Sequence, residues 1–294
     1  MVVSNPAGLR IENDRLVIVQ EAETPLPLED IAVLILESPQ VSLSSAALAR
    51  LADHGVMLIA CGPNHLPAFA GLPFAGHSRL TGVHRLQLDT SLPFRKRCWQ
   101  RIVQAKIANQ AECLRIAGRE GADRIAAMAD TVASGDTGNV ESAAAREYFR
   151  RLFRPDFDRR TEDAVNSALN YGYAVIRAAV ARSLAAYGFL LTQGIHHCSE
   201  LNAFNLADDF LEPLRPVVDL CVASFSPPPE ELAKGHREEL VGLLACEVRV
   251  DGERQSALRA TEIMAASFGA ACRAAEPSAL KLAALLPLRE HGYE

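Results

Sequence analysis

FRKRCWQRIVQAKIANQAECLRIA, residues 94–117, marks the point where this chain changes from strand to helix. The stretch has helical periodicity, with Trp99 and Ile102 offset toward a core. Just ahead of it, residues 71–79 carry glycine and proline and read as a linker. Before the linker the pattern is mainly β. Residues 9–12 and 15–20 flank Asn13-Asp14, a turn pair suited to a two-residue hairpin. IAVLIL (31–36) and VMLIA (56–60) are short apolar runs of the buried-strand kind. Between them, Ser44 or Ser45 can cap a helix that runs through His54 and ends at Gly55. Forward of residue 117 the helical pattern continues over 120–133, 139–153, 162–187, 205–222 and 229–244, with Pro227-Pro228-Pro229 as an entry loop. A short strand at 247–250 turns at Asp251-Gly252, and a last helix covers 255–273. The expected fold is α+β: a small β-rich N-terminal domain, residues 1–79, followed by a larger all-helical C-terminal domain, residues 80–294.

Composition narrows the function classes. Of 294 residues, 49% are hydrophobic and 22% charged, which excludes wholesale disorder and leaves enough apolar mass for two domains. The net charge of −6 opposes nucleic-acid binding by the surface as a whole. A DNA site must therefore be a local basic patch or be completed by a partner. The seven cysteines are odd in number with no pair at CxxC spacing, so neither a disulfide framework nor a zinc ribbon is expected. The first residues lack a basic start before an apolar run, and no stretch reaches about 18 uninterrupted apolar residues. The chain is expected to be cytoplasmic and reduced, without a membrane span. The strand ending at Cys61-Gly62 is followed by neither GxGxxG nor GK[ST], which argues against a nucleotide fold.

Three segments carry candidate chemistry. Residues 90–111 hold Arg95, Lys96, Arg97, Arg101 and Lys106 and no acid. On a helix Arg97, Arg101 and Lys106 can share a face, read either as a solvated flank or as a DNA-facing surface. A second cluster, Arg146 to Arg160, is diluted by Glu147, Asp156 and Asp158. Glu141 opens the helix NVESAAAREYFRRLF behind Asn139, a suitable cap, and an acid in a first turn is favoured by the helix dipole. Residues 194–216, GIHHCSELNAFNLADDFLEPLRP, place His196 and His197 in a loop. Asn205 caps the next helix, with Asp208 as the acid of a capping box. Asp209 and Glu212, at i and i+3, project from one face, and Pro213 forces a kink or a stop. Two acids at a helix break beside a histidine loop suit a hard divalent cation, Mg²⁺ or Mn²⁺. Hydrogen-bonded loop histidines and helix caps remain the competing reading.

Four phrases in this order, NVESAAAREYF, LNYGYAVIRAAVAR, GIHH and FNLADDFLEPLRP, resemble the CRISPR-associated integrases, the Cas-one spacer-acquisition family. RCWQRIVQAKIANQA and ETPLPLEDIAVLIL look like its type II branch. The resemblance runs over residues 9–220, and the last 70 or so match only loosely. It implies a metal triad of Glu141, His197 and Glu212 that is also the catalytic set, with His196 as a neighbour and Asp209 as an accessory acid. Ser142 departs from the small glycine or alanine common after the glutamate. Further implications are Mg²⁺ or Mn²⁺ as cofactor and double-stranded DNA fragments and CRISPR repeat DNA as substrates. A homodimer is implied, built through the β-rich domain. A Cas-two dimer would bridge two such dimers into a heterohexamer, and an RNA-guided effector nuclease is a further partner. The implied reaction joins fragment 3′-hydroxyl ends to the repeat. The alternatives are hydrolysis of branched DNA at the same site, or a non-enzymatic DNA scaffold.

Overall fold

The computed structural model describes residues 1–62, 67–71, 73, 78–226 and 228–292. It divides into two compact units, Met1–Ser78 and Arg79–Glu294. Most of the linker read at 71–79 lies outside the described residues, as does Pro227 of the proline run.

The first unit holds two four-stranded sheets. One orders β4 (Glu23–Pro27), β3 (Arg15–Val19), β2 (Ala7–Glu12) and β6 (Val41–Leu43); the other orders β1 (Val2–Val3), β5 (Val33–Leu36), β7 (Met57–Cys61) and β8 (Pro67–Gly71). The Asn13-Asp14 turn joins β2 to β3 antiparallel, and both residues take positive φ, 48° and 58°, as a tight hairpin requires. All four residues of β5 are buried, and it pairs in parallel with β1 and β7, which is why its apolar run is continuous and not alternating. Helix α1 (Ser45–Asp53) starts at Ser44, whose Oγ accepts from the Ala47 N–H at 3.1 Å, and Gly55 leaves it at φ 66°. Leu9, Leu16, Leu28, Leu34, Leu51 and Leu58 meet in one core cluster. The reading missed β4 because its two prolines argue against a strand. They are tolerated there because β4 is a sheet edge.

The second unit is built on α3 (Leu92–Ile116), capped by Ser91 Oγ on the Phe94 N–H, with α2 (Leu80–Leu88) before it. Cys98, Trp99, Ile102, Val103, Ile107 and Leu114 form its buried stripe. Helices α4 (Ala122–Ala129), α5 (Val140–Leu152) and α6 (Ala164–Ala186) follow. Residues 205–222, read as a helical stretch that kinks or stops at Pro213, are α7 (Asn205–Leu211), a 3-10 turn over Glu212–Leu214, and α8 (Arg215–Ser224). Pro213 is the cause, since it has no N–H to give the Asp209 carbonyl. Gly172 of α6 lets α8 approach closely, because a Cβ there would stand 2.4 Å from Val218 Cγ1. Helix α9 (Lys234–Gly242) starts later than the proline run suggested.

This unit is not all-helical. Strands β9 (Cys246–Val250), β10 (Glu253–Ser256) and β11 (Ala284–Glu290) form an antiparallel sheet, order β10-β9-β11, around α10 (Ala257–Ala274). The Asp251-Gly252 turn was legible. Strand β11 was not, because Pro287 interrupts its pattern, which an edge position permits. Among the described residues no helix is long and apolar enough to cross a membrane.

Asp219 of α8 is fully buried and accepts hydrogen bonds from the Tyr148 hydroxyl at 2.9 Å and from the Tyr173 hydroxyl. Burial raises its carboxyl, the two tyrosines oppose that only in part, and it stands at about 6. The folded form thus keeps a proton that the unfolded chain loses near pH 4, so this group's contribution to stability falls as pH rises from about 4 through 6. Two units at about 1.4 kcal/mol each give roughly 3 kcal/mol. Urea unfolding of wild type and Asp219→Asn should show the difference moving against the wild type by that order between about pH 4.5 and 7. A constant difference would mean that Asp219 titrates as an ordinary aspartate.

Candidate active site

Glu141 sits in the first turn of α5, but Asn139 does not cap it. Asn139 enters the helix with left-handed backbone, φ 51°, and its side chain makes no cap. Asp136 takes that part, accepting from the Val140 N–H at 2.9 Å and the Glu141 N–H at 3.0 Å through its two carboxylate oxygens. The helix entry is thereby satisfied and the Glu141 side chain is left for other work.

That work is a shared contact with Lys106 of α3. The Lys106 ammonium donates to Glu141 Oε1 and also meets Glu212 Oε2, the latter without the alignment of a directional hydrogen bond. Lys106 and Glu212 are nearly closed off, with side chains 8% and 6% exposed, whereas Glu141 is 28% exposed and forms the open side of the group. Arg215, one turn beyond Glu212, holds its other oxygen, Nε to Oε1 2.8 Å, and stacks over the Tyr173 ring at 4.6 Å. Burial pushes the Glu212 carboxyl up, but Arg215 and Lys106 outweigh it and hold the group down at about 2. Burial likewise pulls Lys106 down, and Glu212 and Glu141 overcome that to leave it above the usual lysine value. The quartet thus sets two carboxylates, Glu141 and Glu212, against two cations, Lys106 and Arg215. Asn109, one turn after Lys106, fixes the 3-10 turn that carries Glu212. Its amide donates to the Pro213 and Ala283 carbonyls, both at 2.8 Å, and accepts from the Leu285 N–H at 3.0 Å.

The histidine loop is organised by Asp209, which is fully buried. Asp209 accepts from the backbone N–H groups of Ile195 (2.5 Å), His196 (3.2 Å) and His197 (3.1 Å), and lies 2.8 Å from His197 Nδ1. A carboxylate only accepts, so Nδ1 carries the proton and Nε2 keeps the free lone pair of the neutral ring. The Asp209 hydrogen bond raises the His197 pKa against the opposing effect of burial, and the Glu212 charge adds to the rise. The His196 ring stacks on Trp99 at 4.1 Å and His197 meets it edge-on at 5.6 Å, which seats the loop on α3. Gly194 allows the tight path, since a Cβ there would come within 2.2 Å of the His197 carbonyl. A cavity of about 440 Å³ opens beside His197, lined also by Arg95, Thr192, Ser199 and Asn202.

The structure thus brings Glu141 and Glu212 to one point, and the Glu212 charge reaches His197 on its loop. Among the described residues no three His, Cys, Asp or Glu side chains stand close enough to hold one metal ion as they are. Several expectations need correction. Asp209 and Glu212 do not share a target: Asp209 faces the histidine loop and Glu212 faces Lys106. Asn205 is the first residue of α7 and not its cap; its amide holds Ser199 and Thr192 of the loop. Asp208 accepts from the Asn202 amide at 2.6 Å instead of completing a capping box. Arg97, Arg101 and Lys106 do not form one basic face. At about 100° per residue, nine residues carry Lys106 half a turn from Arg97. Arg97 is exposed, Arg101 is half-buried and donates to the Leu280 carbonyl at 3.2 Å, and Lys106 is in the core. Sequence reasoning missed Lys106, Trp99, Asn109 and Arg215 as parts of the site. A signal existed for Lys106, which falls on the apolar stripe of α3 between Ile102 and Ile107, where a charge must find buried partners.

Fold and site together define a two-unit α+β protein whose helical unit encloses a carboxylate–lysine centre beside a tethered histidine loop. The chain belongs to the Cas-one family: residues 1–227 match the family model described as "CRISPR associated protein Cas1". It is 42% identical, over 100% of its own length and 98% of the relative's, to a "CRISPR-associated endonuclease Cas1" of Neisseria meningitidis serogroup C (strain 8013). A Cas1 protein from Thermotoga maritima shares the fold with a TM-score of 0.75 at 14% identity, covering 92% of this chain and 96% of that one. A casposase bound to integration product shares it with a TM-score of 0.74 at 17% identity, covering 92% and 89%.

Proposed function

We propose that this chain is a CRISPR-adaptation integrase of the type II branch that joins 3′-hydroxyl ends of short DNA fragments to the repeat array. The observation that carries the reading is the meeting of Glu141 and Glu212 on one buried positive charge, next to a histidine whose tautomer is already set. The donor set fits a hard divalent cation: two carboxylates take Mg²⁺ or Mn²⁺, and Mn²⁺ also accepts an imidazole. The point where the glutamates meet already holds a cation, the Lys106 ammonium. Glu141, Glu212 and His197 Nε2 would hold the metal. Once bound, it would supply Lewis-acid stabilisation of the phosphoryl oxygens and a lower pKa for the attacking hydroxyl.

The residues of the chain supply the remaining functions. Asp209 keeps the His197 proton on Nδ1, Asn109 and Pro213 fix the turn beneath Glu212, and Asp136 fixes the start of α5 beneath Glu141. In the reaction a fragment 3′-oxygen bonds to the phosphorus of a repeat phosphodiester. The bond from that phosphorus to the repeat strand's own 3′-oxygen breaks, and a proton moves from one hydroxyl to the other. The number of phosphodiester bonds is unchanged, so no external energy source is needed. Support for this reading comes from family membership and from the fold shared with a casposase bound to integration product. A fold shared at a TM-score of 0.71 with 35% of a chain of a "Cas6-RT-Cas1--Cas2 complex" supports a Cas-two partner. The assembly proposed for it is a Cas-two dimer bridging two dimers of this chain, each built through the β-rich unit. Arg97 and Arg101 are the proposed phosphate contacts of α3, and the RNA-guided effector nuclease is a further proposed partner. The neutral quartet and net charge of −6 favour a binding surface completed by that assembly.

The Neisseria relative's name, an endonuclease, keeps hydrolysis as the second reading, with water in place of the 3′-hydroxyl. One assay separates the two. Incubated with Cas-two, Mn²⁺ and a repeat duplex, a fragment with 3′-hydroxyl ends should yield longer joined strands, and the same fragment with dideoxy ends should yield none. Equal cleavage of the repeat with either fragment, and no joined product, would leave only the nuclease.

A further inference from the structure

We propose that Lys106 is a positioning residue that couples metal entry to DNA binding: its ammonium holds the place the divalent ion must take, and a DNA phosphate releases it. The inference rests on the metal-centre reading above and goes beyond it. Charge count carries it. Lys106 and Arg215 balance Glu141 and Glu212, and the quartet is neutral and mostly buried. Adding a doubly charged cation to that group leaves two uncompensated positive charges in a place of low polarisability, which is strongly unfavourable. Relief requires an anion. The reacting strand brings one with each phosphate, and Glu141, the exposed member, marks the side from which it arrives. Lysine suits the exchange. Its ammonium is a compact point charge on a flexible four-carbon stem, able to leave the carboxylates for a phosphate without moving the backbone. Arg215 lacks that freedom, being held by Glu212 on one side and the Tyr173 ring on the other. Metal and DNA should therefore bind with positive, reciprocal coupling. Idle metal loading, with its risk of stray hydrolysis, is suppressed until a strand is present.

The test measures Mn²⁺ binding to the full-length protein by the loss of free-ion paramagnetic resonance signal, with and without a dideoxy-ended duplex that cannot react. Wild type should bind at least about tenfold tighter with the duplex than without it. Lys106→Met, which keeps the length and removes the charge, should bind at least about tenfold tighter than wild type in the absence of DNA, and should gain less from the duplex. Lys106→Arg keeps the charge and should stay as weak as wild type without DNA. Lys106→Met no tighter than wild type would overturn the proposal. So would Lys106→Arg binding as tightly as the methionine variant is expected to, a result readable even if the methionine protein fails to fold. Glu212→Gln separates this inference from the one beneath it. If wild type binds no Mn²⁺ even with the duplex, the metal centre itself is refuted and this coupling with it. If wild type binds and Glu212→Gln does not, but Lys106→Met matches wild type, only the role of Lys106 falls.

Discussion

Replacing Glu141 or His197 by alanine, or Glu212 by glutamine, is expected to lower strand joining by roughly a thousandfold while dimers still form and most of the DNA affinity measured without metal remains. The size follows from the several kcal/mol of transition-state stabilisation that a catalytic metal supplies, at about a factor of ten per 1.4 kcal/mol. The selectivity follows from position. All three groups belong to the second unit, where they meet or neighbour the buried quartet, and phosphate contacts elsewhere do not depend on them. Glutamine is chosen at 212 because it keeps the volume of the side chain and one oxygen that accepts from Arg215, whereas alanine would remove both buried cations' acceptor and leave a cavity, at a cost of about 3–5 kcal/mol that would confuse misfolding with lost chemistry. Glu147 is the control. It lies six residues along the same helix from Glu141, and accepts from Arg151 at 2.7 Å and Arg124 at 2.8 Å. Its alanine variant should join strands normally and lose at most about 1 kcal/mol of stability. Quantitative joining assays in Mn²⁺, run beside size-exclusion and duplex-binding measurements, check each part. Near-normal joining by Glu141→Ala or His197→Ala would defeat the assignment of the site.

Asp209→Ala is expected to cost both stability and activity although it touches neither Lys106 nor the glutamates. Removing this carboxylate strands three backbone N–H groups and the His197 ring at once. At about 1–3 kcal/mol for each buried donor left unmade, offset by loop relaxation, the loss should be about 3–5 kcal/mol. Joining should fall by about 10–100-fold in protein that is still folded, the usual effect of losing the group that orients a histidine ligand. A spectroscopic readout distinguishes positioning from mere destabilisation. The Asp209 bond is the main reason His197 titrates above 6.5, so in the variant its imidazole resonance should titrate lower. The sign for stability is that of a raised histidine: the linked contribution is complete below about pH 6.5 and is lost as pH rises through the folded value. The wild-type advantage over Asp209→Ala should therefore shrink with rising pH. An unchanged His197 titration in a folded variant would show that Asp209 only fills space.

Much of the fold was legible because its signals are local. The Asn13-Asp14 hairpin, the Ser44 cap, the Gly55 stop and the Pro213 break each depend on the conformational limits of one or two residues, and all appear where those limits put them. What failed was of two kinds. Strands β4 and β11 contain prolines that are harmless only at a sheet edge, and edge position is not a local property. The caps at Asn139 and Asn205 failed because another side chain, Asp136 in the first case, or another need, the histidine loop in the second, took precedence.

The candidate site divides along the same line. By itself the chain determined which groups were available: a glutamate in a first helical turn, two loop histidines, and acids beside a proline break. It also determined the family, through phrases whose order survives in one dimension. Only the tertiary structure decided what each group does. Helix α3 runs between the α5 entry and the 3-10 turn, so Lys106, which reads as one more basic residue on a helix, becomes the charge on which two distant glutamates meet. Asp209, which reads as a second acid for a metal, becomes the tether of a loop, because one helical turn is enough to face a different neighbour. The physical reason is that propensity and capping act over a few residues, whereas the state of a buried charge is set by whichever opposite charge the fold brings within about 4 Å of it.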